Sequence, residues 1–210
     1  MSTLESLSAV CAAADLPYAP EWLPPLQKLA GLLAAGQVRS NLVGDASEAG
    51  LLGHVREALA VAAATLEVLG HPPQNALDVG AGAGLEALTL AILWPQTRVV
   101  AVEPRKLRAA FIAETAEALG LRNLEVIAKS LHSAGLRQAF QLANARAVWP
   151  VPEWPERARS ILAPQGVVAI HAFGPAATLG ERLETPGWQL RATRDVPGEK
   201  PYAIALVQLA

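Results

Sequence analysis

The sequence predicts an α/β fold: a mostly parallel sheet wrapped by helices, preceded by a helical segment and closed by an antiparallel strand at the C terminus. Three observations predict it. From residue 75 to residue 173, short apolar and β-branched runs alternate with stretches of helical period, the rhythm of strands joined by crossover helices. A glycine-rich turn, Gly80-Ala81-Gly82-Ala83-Gly84, parts the first such run from the helix after it. The last two apolar runs have Pro197-Gly198 and no helix between them, so they pair antiparallel.

The elements follow in order. Residues 4–14 form a short helix candidate. After Pro17 and Pro20, the residues Trp22, Leu23, Leu26, Leu29, Ala30 and Leu33 recur close to a helical period, predicting a helix over 21–35 that Gly36 stops. Residues 41–45 read as a loop. Ser47 caps a helix that runs through His54 and Leu59 to Leu69 and ends at Gly70 and Pro72-Pro73. Residues 1–72 are thus an N-terminal helical extension and residues 73–210 the core. In the core, strands are expected at 75–79, 98–102, 124–128, 142–148 and 166–173, and closing strands at 188–194 and 202–209. Helices are expected at 85–94, 104–119 (stopped by Gly120), 153–162 and, more weakly, 132–140.

Composition narrows the function. Apolar residues make up 52% of the 210 and charged ones 17%, which excludes a disordered chain, and the 42 alanines suit closely packed helices. No strictly apolar run reaches the ~18 residues of a membrane span, and no basic start leads into an apolar run. Cys11 alone makes no internal disulfide, and four scattered histidines make no zinc signature. A soluble, cytoplasmic monomer with no membrane attachment and no metal is expected. Net charge is −2, but residues 1–100 hold four basic and nine acidic side chains and residues 101–210 thirteen and ten. Any anion-attracting face belongs to the second half.

The sharpest motif is Leu77-Asp78-Val79-Gly80-Ala81-Gly82-Ala83-Gly84-Leu85. A glycine turn at a strand's carboxyl end lets a ligand approach the backbone, and the helix after it offers free N–H groups. Glu103, 19 residues beyond Gly84 at the end of the second strand, is placed to accept hydrogen bonds from a ribose diol. Gly82, Gly84 and Ala87 also satisfy a dinucleotide fingerprint, so NAD is a rival. The tighter Gly80, Gly82, Gly84 spacing with Asp78 upstream, the lack of a second glycine turn and the antiparallel ending favour S-adenosylmethionine, and with it a Rossmann-like class I methyltransferase sheet.

At family level the chain resembles the small-subunit ribosomal RNA guanine-N7 methyltransferases, also called the glucose-inhibited division protein B family, over about residues 26–209. Ser40-Asn41-Leu42-Val43 is similar to the family's Asn-Leu-Thr stretch, and His54-Val55-Arg56-Glu57-Ala58-Leu59 to its His-Ile-x-Asp-Ser-Leu helix. The glycine loop matches closely. Ala109-Ala110-Phe111 resembles the helix after the ribose-binding acid, Ala145-Arg146-Ala147-Val148 the Ser-Arg-Ala-Val segment, Val151-Pro152 the proline segment after it, and Pro197-Gly198 the approach to the last strand. The chain differs where it has Glu86-Ala87 for Pro-Gly, Leu131 for a glutamate, Ala145 for the serine and His171 for a lysine.

The resemblance implies cofactor contacts from Gly80 and Leu85, with Ser130 and Leu131 flanking the adenine and Arg146 in the active site. With the motif residues, the expected cofactor set is Asp78, Gly80, Gly82, Gly84, Leu85, Glu103, Ser130, Leu131 and Arg146, and the expected catalytic residue is Arg146. The partner implied is ribosomal RNA or the small ribosomal subunit. Arg105, Lys106, Arg108, Arg137, Arg157 and Arg159 are candidates for phosphate contacts, and Trp149 and Trp154 for base stacking or core anchoring. His54 and Glu57 share a helix face, where a structural histidine is the expected role. Two further readings stay open: a non-catalytic family member acting as a binding or assembly module, and a methyltransferase for another acceptor.

Overall fold

A computed structural model describes residues 3–17, 19–40, 47–137, 139–183, 186–198 and 200–210. Seven strands, β1 (Asn75–Val79), β2 (Arg98–Val102), β3 (Leu124–Ile127), β4 (Phe140–Ala145), β5 (Leu162–Phe173), β6 (Trp188–Asp195) and β7 (Tyr202–Leu209), form one sheet in the order β3-β2-β1-β4-β5-β7-β6. All neighbours among β1 to β5 run parallel, whereas β7 is antiparallel to both β5 and β6. The helices are α1 (Thr3–Ala12), α2 (Leu23–Ser40), α3 (Glu48–Leu69), α4 (Leu85–Leu93), α5 (Lys106–Leu119), α6 (Trp154–Ala158) and α7 (Ala176–Arg182).

Alternation along each strand sends side chains to two cores. Ala76, Val99, Ala101, Ile204 and Leu206 join the core shared with α1 to α5. Leu77, Val79, Val100, Val102, Ala205 and Val207 join the opposite one, covered by α6, α7 and the chain between β3 and β4. Leu7, Leu26 and Leu59 of the N-terminal helices lie in the first core, so α1 to α3 supply much of that face. By length and composition Ala49–Leu69 is apolar enough to cross a membrane, but Val55, Leu59, Val61, Ala62 and Ala64 are buried in this core.

The capping signals of α3 hold: Ser47 Oγ accepts from Gly50 N–H at 3.1 Å, and Gly70 closes the helix in the left-handed region at φ 76°. Four expectations need correction. First, α2 does not stop at Gly36 but runs to Ser40. A helical glycine costs only about 1 kcal/mol, which burial of Leu26, Leu29 and Leu33 along the same face offsets. Second, no helix covers 132–137: Ser130 Oγ accepts from Ser133 N–H at 3.3 Å and Gly135 takes φ 68°, folding the segment into turns. Third, α6 is only five residues long, because Trp154 is anchored through Nε1 to the Ala169 carbonyl at 3.0 Å and the chain turns back at Ile161. Fourth, the strand expected at 142–148 spans Phe140–Ala145, and Ala147 beyond it takes φ 55°; α7 was not anticipated. The loop expected at 41–45, with most of the Ser40-Asn41-Leu42-Val43 stretch, lies outside the described residues.

Candidate cofactor cleft

A cleft of about 1220 Å³ opens at the carboxyl ends of β1, β2, β4 and β5. Parallel strands bring all these ends to one edge, and the glycine turn between β1 and α4 forms its floor. Gly80 N–H donates to the Val102 carbonyl at 2.7 Å, which pins the turn to the end of β2. A Cβ on Gly84 would come within 2.7 Å of Ile112, so this glycine lets α5 pack against the turn. A Cβ on Gly82 would meet nothing nearer than Arg108 Nη1 at 3.8 Å, so its open side belongs to the cleft. Gly80 is closed in by the Val148 side chain.

Glu103 is only 3% exposed, and both its oxygens are already held. Oε2 accepts from Gly82 N–H at 2.8 Å and Oε1 from Arg105 N–H at 2.9 Å. The carboxylate is thereby aimed before a ligand arrives, with lone pairs left over for hydroxyl donors. Ser130 and Leu131 line the cleft beyond it, after β3, and Leu85 lines it from the start of α4.

On the other side of the glycine turn lies a polar cluster built from six segments, α3, α4, β1, β5, β7 and the end of β4. Arg146, just past β4, donates from Nη1 to Glu57 Oε2 at 2.7 Å and sets Nε 3.1 Å from Glu86 Oε1. Nη1 also lies 2.9 Å from His54 Nδ1. Nη2 takes part in none of these contacts. Burial works against charge on Arg146, yet Glu86 and Glu57 raise its pKa on balance. Burial likewise opposes ionisation of Glu57, but His54 and Arg146 lower its pKa overall.

A second chain of hydrogen bonds crosses behind. His171 Nε2 is 2.7 Å from Asn144 Oδ1, Asn144 Nδ2 donates to Asp78 Oδ1 at 2.9 Å, and His171 Nδ1 is 3.1 Å from the Tyr202 hydroxyl. Burial pushes His171 down to about 4, so the ring is neutral near pH 7. Its Nε2–H then donates to Asn144, and Nδ1 accepts from Tyr202, whose pKa burial raises. Asp78 is pushed up to about 7, first by burial and next by Glu86. Asp78 Oδ2, buried, has no hydrogen-bond partner among the described residues, and Glu86 Oε1, also buried, has only its ion pair with Arg146. The ligand atoms of Glu57, Glu86 and His171 lie within 4.8 Å of one another, a grouping that could hold a metal ion. Arg146 already supplies the positive charge between the two glutamates.

All nine expected site residues line this cleft except Gly84, which packs behind it. Glu153 and Glu156, which follow Arg146 in sequence, pair instead with Arg157 and Arg159. Trp154 is core, and Trp149 stacks on it at 5.2 Å at the cleft wall. Arg105 and Arg108 line the cleft, while Lys106 is exposed outside it. Sequence reasoning named Glu86 and His171 as departures and His54 and Glu57 as a pair, but missed that they meet around Arg146. A glutamate inside the Leu85–Leu93 helix, whose other residues are apolar except Thr89, was the available signal.

The sheet order, with a single reversed strand and a glycine turn facing an acid at the end of β2, defines the fold of S-adenosylmethionine-dependent methyltransferases. Solved structures agree on that fold: TrmN from Thermus thermophilus superposes with a TM-score of 0.58 at 21% identity, over 73% of this chain and 49% of that one. An S-adenosylmethionine-dependent methyltransferase from Aquifex aeolicus does so with 0.52 at 20% identity, over 64% and 81%. Within that class, residues 23–173 match the family model described as rRNA small subunit methyltransferase G, and the chain belongs to this family. Similar relatives named ribosomal RNA small subunit methyltransferase G occur in Verminephrobacter eiseniae, 35% identical over 65% of this chain and 61% of the relative. Another, in Wolinella succinogenes, is 30% identical over 83% and 86%.

Proposed function

We propose that the protein is an S-adenosylmethionine-dependent methyltransferase that modifies guanine N7 in small-subunit ribosomal RNA. The observation that carries the cofactor half is the prepared carboxylate of Glu103 beside the open face of Gly82, a ribose site next to a backbone a ligand can reach. Membership of the rRNA small subunit methyltransferase G family supports the RNA half. Along the strand order, adenine would lie by Ser130 and Leu131 after β3, ribose at Glu103 after β2, and the methionine end at Asp78, Glu86 and Arg146.

The bound donor supplies an electrophilic methyl group, which the lone pair of N7 takes as the carbon–sulfur bond breaks and its electrons stay on sulfur. N7 carries no proton, so no general base is needed, and alignment of acceptor and donor provides the catalysis. Arg146 is held rigid by Glu57 and Glu86, with Nη2 left to position an acceptor base or phosphate. Arg105 and Arg108 border the same opening and suit RNA phosphates. A cytoplasmic monomer without a metal or membrane attachment is the setting this reading implies. Incubation with small ribosomal subunits and tritiated S-adenosylmethionine tests it. Label that ribonuclease releases supports the reading; label absent from RNA, or donor binding without transfer, favours the binding-module alternative.

A further inference from the structure

The charges behind the glycine turn do not balance. Asp78, Glu86 and Glu57 face one fixed cation, Arg146, and His171 beside them is neutral. Asp78 and Glu86 are 2% and 4% exposed; Asp78 Oδ2 has no hydrogen-bond partner among the described residues, and Glu86 Oε1 has only its ion pair with Arg146 Nε at 3.1 Å, a guanidinium it shares with Glu57. An uncompensated buried carboxylate is costly, and two facing each other more so. Arg146 pairs with both glutamates, Nη1 with Glu57 and Nε with Glu86, so one guanidinium is divided between two carboxylates with a third, Asp78, beside them. On the proposed reading, with ribose at Glu103, the methionine end of the donor would lie toward these carboxylates, which line the same cleft.

A metal ion fits this excess less well than an organic cation. Both ring nitrogens of His171 are engaged, by Asn144 and Tyr202, and Arg146 stands between the two glutamates a metal would need. The methyl donor carries an ammonium, a carboxylate and a sulfonium, whereas the product keeps the first two and has an uncharged thioether sulfur. The two ligands differ by one positive charge, located at the reacting atom.

We propose that Glu86, with Asp78, makes the cleft select by charge, favouring the sulfonium donor over the thioether product, and that Glu86 sets this preference. This rests on the methyl-donor reading above and adds its consequence for turnover: once the methyl group has left, the carboxylates lose their counter-charge and the product is released. Because the ammonium is common to both ligands, the ratio of their affinities isolates the effect at sulfur.

Calorimetric titration of S-adenosylmethionine and S-adenosylhomocysteine into the full chain and into Glu86→Gln measures that ratio. The wild type should prefer the sulfonium ligand, and the preference should fall roughly fivefold or more in the variant, whatever happens to the shared affinity. An unchanged ratio in a folded Glu86→Gln overturns the inference and leaves the methyl-donor reading intact. The wild type alone gives a second test if the variant does not fold: equal affinities for the two ligands, or tighter binding of the thioether product, overturn the inference. Manganese that competes with the donor overturns it in favour of a metal at Glu57, Glu86 and His171. Failure of the wild type to bind either ligand removes the methyl-donor reading and this inference together.

Discussion

Glu103 holds the glycine turn as well as facing the cleft, since its oxygens take the amides of Gly82 and Arg105. Glu103→Ala should weaken S-adenosylmethionine binding by about 1–3 kcal/mol, the range for hydrogen bonds to a charged group, and lower the thermal midpoint as well. Glu103→Gln keeps one acceptor and should lose less of both. Unchanged affinity in a folded Glu103→Ala would rule out the ribose role. Asp78 makes a prediction in pH. The folded state holds its proton up to about 7 against 3.8 ordinarily, so its contribution to stability is full below about pH 4 and lost as pH rises through about 7. His171, lowered to about 4 from 6.5, works oppositely: the unfolded chain binds the extra proton, so stability is lost as pH falls through that window. The two offset below about pH 6.5. Asp78→Asn removes only the first, so the ligand-free variant should gain on wild type from about pH 4 to about pH 7 and level off above. Thermal midpoints that run parallel across that range contradict it.

Among the elements, the β1–turn–α4 unit was the most legible, because strand, glycine spacing and helix are contiguous and each carries its own signal. The glycines nonetheless differ in purpose. Gly84→Val would drive a branched side chain into Ile112 and should prevent stable folding, whereas Gly82→Val points into the cleft. Gly82→Val bears only the strain of φ 60°, and it should keep a near-native circular dichroism spectrum while losing cofactor binding. Normal binding by Gly82→Val would sink the cleft assignment. The segment between β3 and β4 was misread because Leu131, Ala134 and Leu136 have helix-like spacing yet satisfy the core from successive turns. The Arg146 cluster was illegible for another reason. Arg146 is 89 positions from Glu57 and 92 from His54, and no local pattern records contacts made only when parallel strands bring their ends together.

For the molecule as a whole, Arg146 ties α3 to α4 and to the end of β4, and the core beneath is continuous from Leu7 to Leu206. Deleting residues 1–72 would strip Leu26, Leu29, Leu59 and Ala62 from one sheet face, so the remaining chain should show no cooperative thermal transition. A sharp transition in residues 73–210 would contradict this and make the helices a true appendage. Arg146→Lys cannot reach both glutamates with a planar fork and should cost about 1–3 kcal/mol of stability, with a larger relative loss of methyl transfer. Full transfer with a lowered midpoint would leave Arg146 a purely structural tie. The central claim, methylation of guanine N7 in small-subunit RNA, is tested most directly by the product. Small-subunit RNA treated with the protein and S-adenosylmethionine should, on digestion to nucleosides and mass spectrometry, contain 7-methylguanosine that Glu103→Ala and Gly82→Val fail to form. A methylated nucleoside of any other kind, or unmodified RNA from a protein that binds the donor, would contradict the account.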